Sequence, residues 1–224
     1  MKLPRLIMPT VAIARSADRF PVRRIYCVGL NYAEHAREMG NDPQRHPPFF
    51  FSKPPDAVVA SGSRLPFPVN TSDFHHEVEL VVVLGAGGSN VKSEHASALI
   101  FGHAVGIDLT RRDLQAAAKK AGRPWDMAKG FDHSAPIGAL SLGIPPAKAP
   151  ISLSVDGQVR QSGDLQDMIW AVPEIIAILS TLVALAPGDL IFTGTPSGVG
   201  PIARGQSLHG SIGALDPIDV SFEA

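Results

Sequence analysis

The chain has 224 residues, 45% of them hydrophobic, and a formal net charge of -1 at pH 7. A chain of this size can bury one good core without disulfide staples, and near-neutrality leaves no electrostatic footprint for nucleic acid or an anionic membrane. No apolar stretch approaches the ~20 residues a membrane-spanning helix needs, and the single Cys27 cannot form an internal disulfide, so a protein of the reducing cytoplasm is expected.

At the N-terminus, Lys2 and Arg5 precede apolar residues and Ala12-Ile13-Ala14 imitates a signal cleavage site. The apolar core there is short and carries Pro4 and Pro9, so an ordinary opening strand is expected instead. Arg24 to Val28 reads as a strand with Cys27 as a buried thiol. Tyr32 to Met39 has helical periodicity, with Asn31 placed to cap it and Gly40 to end it. His35 and Glu38 then meet on one helix face. An imidazole oriented by a carboxylate can act as a general base on water, although surface pairs at this spacing are commonly inert. A short strand follows at Phe49 to Phe51.

The most informative stretch is His76 to Leu84, apolar except for Glu77 and Glu79. A β-branched run of this kind predicts a strand, and side chains two apart on a strand leave the same face, roughly 7 Å apart at the Cα atoms. Two like charges on one face of a buried strand repel and lose hydration, so a cation between them is expected, a divalent metal above all. The alternative is a solvent-exposed, merely solubilising face, which would expose Val81 and Val83 as well. Downstream, Asp108 closes a second small, apolar strand and offers a third oxygen ligand. Alone it reads as a turn residue. Beside the paired glutamates it completes an all-carboxylate site, which suits Mg²⁺, Mn²⁺ or Ca²⁺ rather than zinc and leaves positions for water and substrate.

Thr110 as N-cap, with Asp113 three residues on, predicts a helix from Arg111 to Ala121 that stops at Gly122. Ile151 to Val155 predicts a strand turning at Asp156-Gly157, and Val172 to Leu185 a helix with Pro173 early in it. Strands are expected at Asp189 to Phe192 and Ile218 to Phe222. Between them, Thr193 to Gly200 is rich in glycine and hydroxyls, a backbone able to approach a small anionic ligand. It lacks the lysine and helix of a phosphate-binding P-loop. Helices are few and do not alternate with strands, which predicts one α+β, β-dominated domain rather than a Rossmann or TIM barrel layout.

The stretches Tyr26 to Glu38, Phe51-Ser52-Lys53-Pro54, His75 to Glu79, Gly106 to Thr110, Ala128 to Phe131 and Thr193 to Gly200 together resemble the fumarylacetoacetate hydrolase family. The resemblance runs from about Pro21 to Phe222 with all motifs in family order, and it looks closest to the short acylpyruvate hydrolase branch. It implies a mixed β-sandwich or roll with a few short helices, usually a homodimer. Residues 1–20 would form an N-terminal segment without room for the separate domain of longer members, and 21–224 a single catalytic domain. It implies Mg²⁺ or Mn²⁺, with Ca²⁺ as a non-native occupant, on Glu77, Glu79 and Asp108. The catalytic residues would be His35, Glu38 and Lys129, and the substrate-binding residues Lys53, Arg112, Gln115, Lys129 and Thr195.

The implied reaction is hydrolysis of the C–C bond of a 3-acylpyruvate, foremost fumarylpyruvate. Oxaloacetate decarboxylation and dienoate isomerisation or hydration are the alternatives. Lys129 and Arg112 would compensate the anionic keto acid, Arg112 with the fork to grip a carboxylate at two points. Leu30 stands where the family commonly has arginine. Residues 41–48 are either a lid, with Arg45 or His46 meeting the substrate's far carboxylate, or a Pro-rich connection.

Overall fold

In the computed structural model, residues 3–4, 7–40 and 46–224 are described. Lys2, Arg5 and Arg45 therefore lie outside the described residues.

The fold is built on strand Val78–Leu84, whose every residue is buried. It pairs antiparallel with Ile100–Ile107 on one side and with Asp189–Phe192 on the other. Asp189–Phe192 runs parallel to Arg24–Gly29, which pairs antiparallel with Phe49–Lys53. Beyond Ile100–Ile107 lie Ala135–Ile137 and then Val58–Ala60, with Ser141–Leu142 paired on Ile100–Ile107, completing eight strands. A second, five-stranded sheet takes Gln158–Asp164, Pro150–Val155, Ser207–Ile212, Ile218–Phe222 and Ser63–Leu65 in that order.

Both faces of the central strand carry a core. Leu80, Val82 and Leu84 pack with Leu153, Leu208 and Val220 of the second sheet and with Ile175, Ile176 and Leu179 of helix Val172–Leu182. Val81 and Val83 pack on the opposite face with Ile25, Cys27, Leu190 and Phe192. A strand buried on both faces is selected as a continuous apolar run, and each buried aliphatic contributes about 1.5–3 kcal/mol. The solubilising reading of the glutamate face is thereby excluded, since Val81 and Val83 are wholly buried. The N-terminal ribbon, Thr10–Ala12 with Arg19–Pro21, joins the second cluster through Val11 and Phe20.

The expected elements are present, with local corrections. His76 to Leu84 is two strands: Phe74–His76 belongs to a three-stranded sheet with Thr110–Arg111 and Gly200–Pro201, and Glu77 sits at the break. The first helix is Ala33–Glu38 with Tyr32 at its N-cap, because the Asn31 amide is engaged elsewhere. It donates to Thr193 O at 2.7 Å and to Trp170 O at 3.0 Å, and accepts from Trp170 N at 2.8 Å. Thr110 likewise lies in a strand, so the N-cap position of helix Arg112–Lys120 falls to Arg111, whose side chain makes no capping hydrogen bond, and Asp113 accepts from Thr71 Oγ1 and Ser72 N at 2.7 Å. The later helix ends at Leu182, since Leu185 N instead bonds Gly88 O at 2.9 Å. Asp156 and Gly157 have φ of 48° and 78°, the left-handed pair of a two-residue hairpin turn.

Candidate active site

Glu77, Glu79 and Asp108 converge because two strand ends are in register. Val78 opposes Ile107 in the antiparallel ladder, so the residues just outside that pair are neighbours, and Asp108 N donates to Glu77 O at 2.8 Å. One carboxylate oxygen from each of the three lies within 4.8 Å of the others, and all three side chains are buried.

The cations around them are unevenly shared. Lys129 Nζ donates to Glu77 Oε2 at 2.8 Å and to Asp108 Oδ2 at 2.7 Å. Arg112 Nη2 meets Glu77 Oε1 and Arg112 Nη1 donates to Gln115 Oε1 at 2.6 Å. Lys53 Nζ stands 2.8 Å from Asp108 Oδ1, outside hydrogen-bonding geometry for that oxygen. Among the described residues, Glu79 has only the Gly194 N–H, at 2.7 Å from Oε2. Burial alone would push the Glu77 carboxyl up, yet Lys129 and Arg112 outweigh it and hold it well below the usual carboxylate range. Glu79 goes the other way, pushed well up by burial and then by the charges of Asp108 and Glu77. A buried carboxylate with no ion-pair partner among the described residues, beside two others, is a donor set that suits a hard divalent ion.

His35 lines the same cleft. Its Nδ1 lies 3.1 Å from Glu38 Oε2, and Gly198 N donates to both Glu38 oxygens at 3.1 and 3.2 Å. The loop 193–200 thus supplies one N–H to Glu79 and another to Glu38. With Nδ1 turned to Glu38, Nε2 is the imidazole nitrogen left for the cleft. His35, Glu77, Glu79, Arg112, Gln115, Lys129 and Thr195 all line it.

Two of the residues expected to contact substrate, Lys53 and Thr195, are held by groups of the protein itself. Lys53 has a fully buried side chain, donates to Leu109 O at 3.1 Å and to Lys129 O, and does not line the cleft. Its ammonium stands beside Asp108 and the Lys129 carbonyl. Thr195 does line the cleft, but its hydroxyl donates to Val78 O at 2.8 Å and accepts from Gln161 Nε2 at 2.7 Å. Gln161 is the residue that reading the sequence missed. Wholly buried, it also donates to Pro196 O at 2.9 Å, while its Oε1 accepts from Val78 N at 3.0 Å. Its signal was a lone amide on the inward side of an otherwise exposed hairpin strand, Gln158–Asp164. His46 is exposed, accepts through its carbonyl from Trp170 Nε1 at 3.0 Å, and is not part of the cleft lining.

The family model described as Fumarylacetoacetate (FAA) hydrolase C-terminal matches residues 24–223. The chain belongs to the fumarylacetoacetate hydrolase family. Among solved structures, a fumarylpyruvate hydrolase from Pseudomonas aeruginosa in complex with Mn²⁺ and pyruvate is 48% identical. That alignment covers 99% of this chain and 98% of the other, with a TM-score of 0.95. A fumarylpyruvate hydrolase of a Ralstonia species is 41% identical over 77% of this chain and 91% of its own. An oxaloacetate tautomerase of Escherichia coli is 42% identical over 84% of this chain and 88% of its own. The family and its fumarylpyruvate hydrolase members support an enzyme that hydrolyses carbon–carbon bonds. The β-dominated fold expected for this family is the one described above. Among the described residues, no helix is long and apolar enough to cross a membrane.

Proposed function

We propose that this member of the family is an Mg²⁺- or Mn²⁺-dependent acylpyruvate hydrolase that converts fumarylpyruvate and water to fumarate and pyruvate. The observation that carries the reading is one cleft lined by Glu77, Glu79 and His35, with Glu38 backing the imidazole at 3.1 Å. A binding scaffold would need the carboxylates alone. A hydrolase needs a base as well.

Glu77, Glu79 and Asp108 would hold the cation, which supplies a Lewis acid for the α-keto acid end of the substrate. Charge favours a dianion there. Three carboxylates (−3), the cations Lys53, Arg112 and Lys129 (+3) and a divalent ion (+2) sum to +2. His35, with Nδ1–H donating to Glu38, accepts at Nε2 a proton from water whose oxygen bonds to the distal acyl carbonyl carbon. The bond from that carbon to C3 of the pyruvyl part breaks, its electron pair forming the pyruvate enolate. The imidazolium returns its proton to C3, releasing pyruvate. Lys129, with two N–H donors on Glu77 and Asp108, has a third for the enolate oxygen.

The oxaloacetate tautomerase relative supports a second reading, in which the same residues handle oxaloacetate. Assaying purified enzyme on fumarylpyruvate, acetylpyruvate, oxaloacetate and a hydroxymuconate separates the two. Stoichiometric fumarate and pyruvate from fumarylpyruvate, faster than any change in oxaloacetate, is expected. Turnover of oxaloacetate alone would replace the first reading by the second.

A further inference from the structure

We infer that the mouth of the cleft is a second carboxylate subsite, in which Lys119, laid over Trp125, favours acylpyruvates whose acyl group itself ends in a carboxylate. The inference rests on the hydrolase reading and names the far end of its substrate. On helix Arg112–Lys120, positions 112, 115 and 119 share one face, and all three line the cleft. They run from depth to rim, Gln115 buried and Lys119 exposed. Arg112 is bound to Glu77 and Gln115, and Lys129 to Glu77 and Asp108, so both are engaged at the carboxylate trio. Among the described residues, Lys119 is the cation of the lining that has no carboxylate partner.

Its surroundings suit the body of such a substrate. Lys119 Nζ stands 5.3 Å from the centroid of the Trp125 ring, a cation–π contact that holds a long side chain at the rim. Trp125 meets Phe49 edge-on at 5.3 Å and Phe51 at 5.9 Å. Phe49 lies across Gly29, where a Cβ would come within 1.9 Å of the ring, so only glycine lets that ring close over the cleft. A flat, unsaturated acyl chain would pack on these rings while its terminal carboxylate meets the ammonium. Because Lys119 is exposed, the pair would be partly solvated, and its expected effect is about tenfold.

The test compares fumarylpyruvate with its crotonyl analogue, in which a methyl group replaces the far carboxylate. The readout is the ratio of the two kcat/KM values in wild-type enzyme, Lys119→Met and Lys119→Arg. Met keeps the stem on Trp125 and removes the charge; Arg keeps the charge. About a tenfold fall in the ratio for Lys119→Met, with the ratio retained in Lys119→Arg, is expected. An unchanged ratio in Lys119→Met, or an equal loss in both variants, would overturn the subsite. Absence of wild-type turnover on both compounds would instead defeat the hydrolase reading. In that event quenching of tryptophan fluorescence by oxaloacetate against pyruvate, in wild type and Lys119→Met, still decides the subsite. Loss of the dicarboxylate preference in the variant supports it, and an unchanged preference overturns it.

Discussion

Substituting His35 by Gln leaves Glu77, Glu79 and Asp108 in place and removes the proposed base. Hydrolysis of an acylpyruvate should fall by about 10²–10⁴-fold, while metal affinity measured by calorimetry on the same variant persists. Glu38→Gln should give a milder loss, because Gly198 N–H still has an oxygen to bond and the imidazole keeps its place. Loss of metal together with activity in His35→Gln would make the histidine a ligand or a fold element. Lys129→Met is a different kind of change. It leaves Glu77 and Asp108 buried without their shared ammonium, a defect worth about 3–5 kcal/mol in metal-free protein. Denaturant melts should show that loss and its partial reversal by Mn²⁺, with turnover down about 100-fold. At this scale the buried carboxylate trio was legible in the sequence, since a buried apolar strand tolerates paired carboxylates only around a cation. Lys53 and Gln161 were not, because their roles depend on main-chain groups of Leu109, Lys129, Val78 and Pro196, which no spacing rule reports.

The loop 193–200 is the element on which both halves of the site depend. Gly198 has φ +92°, and a Cβ there would come within 2.1 Å of Arg160 O. Gly198→Ala should therefore displace the N–H that holds Glu38, destabilise the fold by at least about 1 kcal/mol, and lower kcat more than it raises KM. Wild-type kcat in that variant would show that Glu38 does not need this anchor. The sequence marked the loop as a close-approach backbone, though for an anionic ligand; the anions it meets are the protein's own carboxylates. The strands and helices expected lie within about three residues of those observed, because apolar periodicity records burial, whereas Ser207–Ile212 and Ser63–Leu65 of the second sheet were not marked. Caps were not. Asn31 and Thr110 have good capping side chains, but Trp170 and Thr193 compete for the first, and pairing with His75 draws the second into a strand.

For the whole molecule, the carboxylate cluster sets how stability and metal uptake respond to pH. The Glu79 carboxyl is raised, so its contribution to stability is present below the ordinary carboxylate range and is lost as pH rises through its folded value. Glu77 is lowered, so its contribution is present above that range and lost as pH falls through its own folded value. A divalent ion requires both ionised, so binding should release a proton from Glu79 and tighten as pH rises. Calorimetry in two buffers of different ionisation enthalpy should detect that release; identical heats would mean Glu79 is already ionised in the metal-free protein.

The most direct test of a carboxylate-held metal serving C–C bond hydrolysis is turnover of fumarylpyruvate by enzyme stripped with a chelator and then titrated with Mg²⁺, Mn²⁺ or Zn²⁺. Stripped enzyme should be inactive, and Mg²⁺ or Mn²⁺ should restore fumarate and pyruvate formation better than Zn²⁺. Full turnover by protein shown to be metal-free would contradict that metal dependence.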